Sequence, residues 1–122
     1  CRIITNSPPR TPSLPIFRRL KILPLEQLYQ LSVLTFMHRF YQNSLPLPNM
    51  RMFTSRSLYR SYRTRQVNHL HVPRFRYHFS QRSIAFNGPK LWNNIISFSN
   101  ILPNYSFAIF KKRLRKLLWD SV

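Results

Sequence analysis

The sequence contains a stretch of closely spaced arginines, which are suited to binding a negatively charged ligand. Residues 51 to 90 hold nine cations and no acidic residue, and eight of the nine are arginine. Arginine binds phosphate oxygens through paired hydrogen bonds and stacks on bases, whereas a merely solvated surface could use lysine equally well. The bias therefore favours nucleic acid as the ligand. We expect contacts from Arg56, Arg60, Arg63, Arg65, Arg74, Arg76, Arg82 and Lys90.

Aromatic residues alternate with these cations in the segments LYRSYRTR and PRFRYHF. The alternation in the second segment predicts a strand with its aromatics on one side and Arg74, Arg76 and His78 on the other. One interpretation is a half-buried strand whose aromatics enter the core. The other is a set of exposed rings that stack on unpaired bases. The candidates for base stacking are Tyr59, Tyr62 and Tyr77.

The charge of the whole chain agrees with a polyanionic partner. Its 122 residues include 20 Lys and Arg but only two acidic residues, Glu26 and Asp120, for a formal net charge of +18. Such a surface attracts RNA or DNA and, less readily, an anionic membrane surface or an acidic protein. If six to eight phosphates are contacted, we expect a log-log salt slope of about −4 to −7.

Several classes of chemistry lack the residues they need. Two-metal catalysis needs clustered carboxylates, which Glu26 and Asp120 cannot supply, and a single glycine excludes Gly-rich phosphate loops. Cys1 and the four histidines match no zinc-ligand spacing. We therefore expect no catalytic residue, metal, cofactor or small-molecule ligand in this segment.

The N-terminus has none of the features of a secretory signal, because prolines interrupt CRIITNSPPRTPSLP before any apolar core forms. The longest apolar stretches are too short to span a membrane. These features predict an intracellular protein, cytoplasmic or nuclear. Because the chain begins at Cys1 and its first methionine is Met37, we interpret it as a fragment of a longer protein.

The elements that position the arginines begin after a basic, proline-rich lead-in at residues 1–22, where the density of prolines argues against a regular helix. A single small basic domain is expected over 23–120. Pro24 is well placed as the first residue of an amphipathic helix over about 24–42. The apolar side of that helix is formed by Leu25, Leu28, Tyr29, Val33, Phe36, Met37, Phe40 and Tyr41, widened by Leu31 and Leu34.

A second amphipathic helix is predicted near the C-terminus, with Ser106 as its N-cap. Its apolar positions are spaced three and four apart, and they are Phe107, Phe110, Leu114, Leu117 and Leu118. We expect this stripe to dock on the domain and its cations to extend the basic surface. The alternative is binding of residues 106–119 to a membrane or a partner helix. The cations assigned to nucleic acid here are Lys111, Lys112 and Arg115.

The only glycine lies in the segment SIAFNGPKLWNNI. We interpret residues 83–86 as a short strand, Asn87 and Gly88 as a turn, and Pro89 as the first residue of a helix ending near Ser97. Trp92 would fill the core. The fold class expected is α+β but mostly helical, with two amphipathic helices, a short helix after Gly88 and a strand pair around residues 70–86.

Four segments in order resemble a known family. They are PRFR at 73–76, QRSIAF at 81–86, GPKLWN at 88–93 and FKKRLRKLL at 110–118. Their order resembles the C-terminal tail of LINE-type (non-LTR) retrotransposon polyproteins, especially the jockey-like and chicken-repeat-like groups. Residues 23–46 are similar to the helix that precedes the arginine-rich stretch in that family. The resemblance spans about residues 20–118.

The resemblance implies a place downstream of a reverse transcriptase domain, in a polypeptide that is an RNA-directed DNA polymerase. The catalytic aspartates of that family lie upstream, and no position here matches them. The role implied for this segment is to hold template RNA or target DNA, with the upstream polymerase domain as a partner. The alternative is a free-standing basic module of ribosomal-protein type that binds folded RNA.

Overall fold

Helices make up most of this computed structural model, which describes residues 1–59, 61–62, 65–66, 68–99 and 103–122. In chain order the described elements are α1 (Ser13–Leu20), α2 (Leu25–Tyr41), α3 (Leu47–Met50), α4 (Arg56–Tyr59), a 3-10 turn (Ser80–Arg82), α5 (Ile84–Phe98) and α6 (Phe107–Asp120). Helix α2 packs against both α5 and α6.

The long helix predicted over 24–42 is confirmed as α2. Pro24 is its N-cap, with extended backbone at φ −58° and ψ 159°, and Glu26 in the first turn interacts favourably with the helix dipole. The helix ends at Tyr41, after which Asn43 takes a left-handed conformation at φ 54°. Asparagine tolerates that conformation better than most residues.

The buried face of α2 is displaced from the predicted one. Leu31 and Leu34, expected at its margin, lie in the core with Val33 and Met37. Four residues expected on the apolar side are exposed instead, namely Leu25, Leu28, Tyr29 and Tyr41. The reason is tertiary: α5 and α6 together cover a different arc of the helix from the one that its apolar residues suggest.

The predicted last helix is confirmed as α6, with Ser106 as its N-cap. Phe110, Leu114 and Leu118 are buried, and Leu117 packs at the edge of the same core. The apolar stripe of α6 therefore docks on the domain itself, which confirms that expectation.

One hydrophobic core joins the three long helices. Trp92 of α5 has only 1% of its surface exposed, and its ring centroid lies 5.9 Å from that of Phe110. Connecting segments contribute three more buried side chains, Leu23, Phe53 and Leu70. The prediction that Trp92 fills the core is confirmed. Within the described ranges, no helix is both long enough and apolar enough to traverse a bilayer.

The expectation that prolines exclude a helix from residues 1–22 is wrong. Pro12 is the N-cap of α1, and Pro15 lies in its first turn, where the missing proline N–H has no helical partner to lose. Helix α1 buries Ile16 and ends at Lys21, which is left-handed at φ 54°. The amides of Lys21 and Ile22 bond the carbonyls of Arg18 and Phe17, which closes the helix end.

The predicted strand, turn and helix around Gly88 are also wrong, because α5 runs without interruption from Ile84 to Phe98. Gly88 has no positive φ, and Pro89 lies inside the helix rather than at its start. An internal proline costs roughly 3 kcal/mol. Gly88 and Pro89 are both buried, so the apolar surface that they remove from water acts against that cost.

The strand pair expected around residues 70–86 is not found, and the described residues form helices with no β-sheet. Residues 71–75 are irregular and 76–82 form a turn and a 3-10 segment, so a second strand is missing. An antiparallel bridge joins Ser55 to Leu70. The other edge of Leu70 is occupied by a helix side chain, Asn93, where a partner strand would otherwise pair.

Candidate nucleic-acid interface

Two of the predicted phosphate-binding arginines line one groove although they are distant in the chain. The groove encloses about 570 Å³ and is lined by Arg56, Tyr59, His71, Val72 and Arg74. We refer to these five residues as the Arg56–Arg74 groove. The two arginines place two positive charges on one concave surface, which suits successive phosphates of a nucleic-acid strand.

The bridge between Ser55 and Leu70 brings the two walls of the groove together. The amide of Arg56 donates to the carbonyl of His69 at 2.9 Å, and the amide of His71 donates to the carbonyl of Thr54 at 2.7 Å. These two bonds place helix α4, with Arg56 and Tyr59, beside the segment that leads to Arg74.

Tyr59 and His71 form a stacked pair in the groove. Their ring centroids are 3.9 Å apart and the ring planes differ by 19°. One face of the Tyr59 ring is covered by the imidazole, yet 63% of the residue remains exposed. A flat ring that is held in one orientation and remains largely exposed is a surface on which a base can stack.

Asn93 of α5 fixes the segment that carries His71. Its side-chain amide donates to the carbonyl of Leu70 at 2.9 Å, and its side-chain oxygen accepts from the amide of Leu70 at 2.9 Å. Asn93 is 8% exposed, so both bonds are shielded from water. The groove is therefore built on a buried polar connection between a helix and an extended segment.

A smaller cavity of about 290 Å³ continues from the groove, and Arg56 lines both. Lys90, another predicted contact residue, is on its wall, and the guanidinium of Arg56 donates to the side-chain oxygen of Gln66. His69 is also on its wall. Burial lowers the pKa of His69, and the nearby charge of Arg56 lowers it further. Both effects favour the neutral form of this imidazole.

The other predicted contact residues between positions 60 and 82, where the structure describes them, do not line the groove. Arg65, Arg76 and Arg82 are exposed on the surface, as are Tyr62 and Tyr77. Arg60 and Arg63 lie outside the described residues. Of the three tyrosines proposed for base stacking, only Tyr59 lines the groove.

The cations of α6 lie at a different place. Lys112 and Arg115 line a cleft of about 750 Å³ together with residues of α1 and the start of α2. Lys111 rests over the ring of Phe107, with its nitrogen 6.0 Å from the ring centroid. No described residue lines both this cleft and the Arg56–Arg74 groove.

Sequence reasoning missed His71 of the groove and Asn93, which fixes the segment that carries His71. In the sequence, His71 is one of four histidines that match no zinc-ligand spacing, and Asn93 is the last residue of the GPKLWN segment. The charge pattern shows neither, because one acts by stacking and the other by bonding a backbone. The available signal was the position of Asn93 among the apolar residues of a helix, because a polar side chain that is buried there needs hydrogen-bond partners.

Among the described residues, no three His, Cys, Asp or Glu side chains come together in a way that could hold a metal ion. Comparison with known proteins found no match to any family model, any curated protein or any solved structure.

Proposed function

We propose that this protein binds nucleic acid without catalysing a reaction on it, through the Arg56–Arg74 groove. A single strand places phosphates against Arg56 and Arg74 and one base on the exposed ring of Tyr59. The observation that carries the proposal is the stacked Tyr59–His71 pair in a groove lined by two arginines. The partners are RNA or DNA, and the compartment is the cytoplasm or the nucleus.

The net charge of +18 supports the same proposal. A polyanion releases its counterions when cations of the protein replace them, which makes binding strong at low salt and weak at high salt. Exposed arginines outside the groove, such as Arg76 and Arg82, add to this general attraction. The groove contributes the oriented part of the contact, because its side chains are held by the bridge and by Asn93.

The order of motifs in the sequence supports a more specific proposal. In it, the chain is the C-terminal segment of a LINE-type retrotransposon polyprotein and holds template RNA or target DNA for an upstream RNA-directed DNA polymerase. Support comes from the segments PRFR, QRSIAF, GPKLWN and FKKRLRKLL alone. A free-standing module of ribosomal-protein type would instead prefer folded RNA over single strands.

The test compares two arginines that are neighbours in sequence but differ in position. Arg74 lines the groove and Arg76 is exposed outside it, and Arg74→Gln and Arg76→Gln remove the same charge. Fluorescence anisotropy with a labelled dT20 and its RNA counterpart is measured from 50 to 300 mM salt. We expect Arg74→Gln to weaken binding about tenfold or more and to reduce the slope magnitude by about one. Arg76→Gln is expected to have a smaller effect on affinity.

The stacking contact is checked in the same titration with Tyr59→Leu, and Tyr77→Leu serves as the exposed control. Loss of a base–aromatic stack weakens binding by about fivefold or more, largely independently of salt. A flat salt response of the wild-type protein would overturn the proposal. Equal effects of both arginine variants and of both tyrosine variants would remove the groove from it. Tighter binding to a folded hairpin RNA would favour the ribosomal-type alternative.

A further inference from the structure

A second cleft differs in chemistry from the Arg56–Arg74 groove. It lies between α1, the start of α2 and α6, and it encloses about 750 Å³. Its lining residues are of two kinds, an apolar set that we call the floor and a cationic set that we call the rim. The floor consists of Ile22, Leu23, Leu28 and Trp119, and the rim consists of Arg18, Lys21, Lys112, Arg115 and Lys116. We call it the α1–α6 cleft.

The rim is strongly one-sided in charge. All five of its cations are exposed, and none of the described residues lining the cleft is acidic. Arg18 and Lys21 come from α1 and its C-cap, and the other three come from α6. Opposing helices thus present positive charge from both sides of the cleft, so the occupant that complements it carries negative charge on both flanks.

The floor calls for an apolar group between those charges. Leu23 is 7% exposed, whereas Ile22 and Leu28 remain 41% and 39% exposed. Placing an aliphatic or aromatic side chain on this floor removes apolar surface from water. Phosphates gain nothing from such a floor, which separates this cleft from a simple polyanion site.

We propose that the α1–α6 cleft binds an acidic peptide segment of another protein, which inserts one apolar side chain between flanking carboxylates. A second copy of this chain fits poorly, because Glu26 and Asp120 are its only acidic residues. The acidic peptide complements both the cationic and the apolar lining residues of the cleft.

The probe is a labelled synthetic peptide of six Asp and Glu residues flanking a central Leu-Phe pair. A second peptide carries Ser-Ser at the centre and keeps the same charge. Binding is measured by fluorescence anisotropy on the full chain in 150 mM salt. We expect the Leu-Phe peptide to bind about tenfold or more tightly than the Ser-Ser peptide, because only it covers the apolar floor.

Matched variants locate the binding. Leu28→Gln alters the floor, and Leu25→Gln changes an 82% exposed leucine of the same helix outside the cleft. Lys112→Gln alters the rim, and Lys111→Gln removes the neighbouring charge outside it. Both cleft variants are expected to weaken the Leu-Phe peptide at least about fivefold, and both controls to change it less than twofold.

Three outcomes would overturn the proposal. Equal binding of the two peptides would mean that charge alone acts. Equal loss in cleft and control variants would place the peptide elsewhere. Binding of dT20 or of anionic phosphatidylserine vesicles that is sensitive to Leu28→Gln, with no peptide binding, would assign the cleft to another ligand. Arg74→Gln is expected to leave peptide binding unchanged, so failure here is distinguishable from failure of the proposed nucleic-acid function.

Discussion

Gly88 is the residue whose lack of a side chain decides a helix contact. A Cβ at this position would lie 2.8 Å from the sulfur of Met37 and 3.4 Å from Cε1 of Phe53. Met37 is fully buried and so cannot swing into solvent to make room. The glycine therefore allows α5 to approach α2 and Phe53 closely. Its conformational freedom is not used, because its φ is helical.

Gly88→Ala is expected to destabilise the protein by about 1 kcal/mol, because overpacking outweighs the gain in helix propensity. In a Met37→Ala background the added methyl group enters a cavity, so Gly88→Ala should there stabilise the fold by about 1 kcal/mol. Urea unfolding of the four proteins measures both effects. Stabilisation of the wild type by alanine would show that the contact is not tight.

Among the elements, helix α5 makes the hydrogen bonds to Leu70 that a neighbouring strand would otherwise make. The backbone N–H and C=O of Leu70 that point away from Ser55 both bond the side chain of Asn93. A carboxamide offers one donor and one acceptor, as a peptide group does, so it can replace a strand neighbour. The link between α5 and the segment at 69–71 also supports the groove, since His71 follows directly.

Asn93→Leu is expected to cost about 2 to 4 kcal/mol, because it leaves two buried backbone groups of Leu70 without partners. The amide of Leu70 should also exchange faster with solvent hydrogen. Asn94→Ala, at the exposed neighbouring position, is the control and should change the free energy of unfolding by less than about 0.5 kcal/mol. If Asn93→Leu were as mild as this control, the two bonds would contribute little to the fold.

For the whole molecule, the scarcity of acidic residues leaves the histidines to set the pH dependence of stability. Acid unfolding usually reflects carboxylates that are paired in the folded state. Glu26 and Asp120 are the only two side-chain carboxylates, and both are exposed. His38, by contrast, is fully buried, stacks on Phe110 at 4.1 Å between centroids, and has its Nε2 at 2.9 Å from the Tyr105 carbonyl.

The carbonyl of Tyr105 requires a proton on Nε2 of His38, which leaves Nδ1 as a buried acceptor without a hydrogen bond. Burial lowers the pKa of His38 below 6.5, and the backbone carbonyls of Tyr105 and Pro103 oppose that shift only in part. The unfolded chain therefore binds more protons than the folded one just below pH 6.5. His69, whose pKa is lowered by burial and Arg56, acts in the same direction.

The free energy of unfolding is accordingly expected to be highest above pH 6.5 and to decrease as the pH falls towards 5. Each proton taken up on unfolding contributes a slope of at most about 1.4 kcal/mol per pH unit. Urea unfolding at pH 7.5, 6.5 and 5.5 measures this. His38→Phe should flatten the profile, and His78→Gln, at an exposed position, should leave it unchanged. A profile identical in His38→Phe would exclude this histidine as its source.

Periodicity and composition in the sequence determined the two long helices, the N-cap at Ser106, the buried Trp92 and the strong positive charge. These features depend on residues within one or two helical turns, or on simple totals, so they are readable without a fold. The predictions made from prolines are wrong at two places, at α1 and at Pro89. Proline restricts a backbone only locally, and burial in the finished fold can offset its cost.

Which cations line the same groove or cleft depends on the tertiary structure. Arg56 and Arg74 line one groove because the bridge and the buried Asn93 bring their segments together. Lys112 and Arg115 of α6 line one cleft with Arg18 and Lys21 because α1 and α6 lie beside it. The positions of the cations in the sequence do not predict these groupings, because solvated side chains do not determine how helices pack. The predicted strand pair is wrong because Asn93 of α5 bonds the backbone of Leu70. These two residues are distant in the chain, and no local sequence pattern shows their contact.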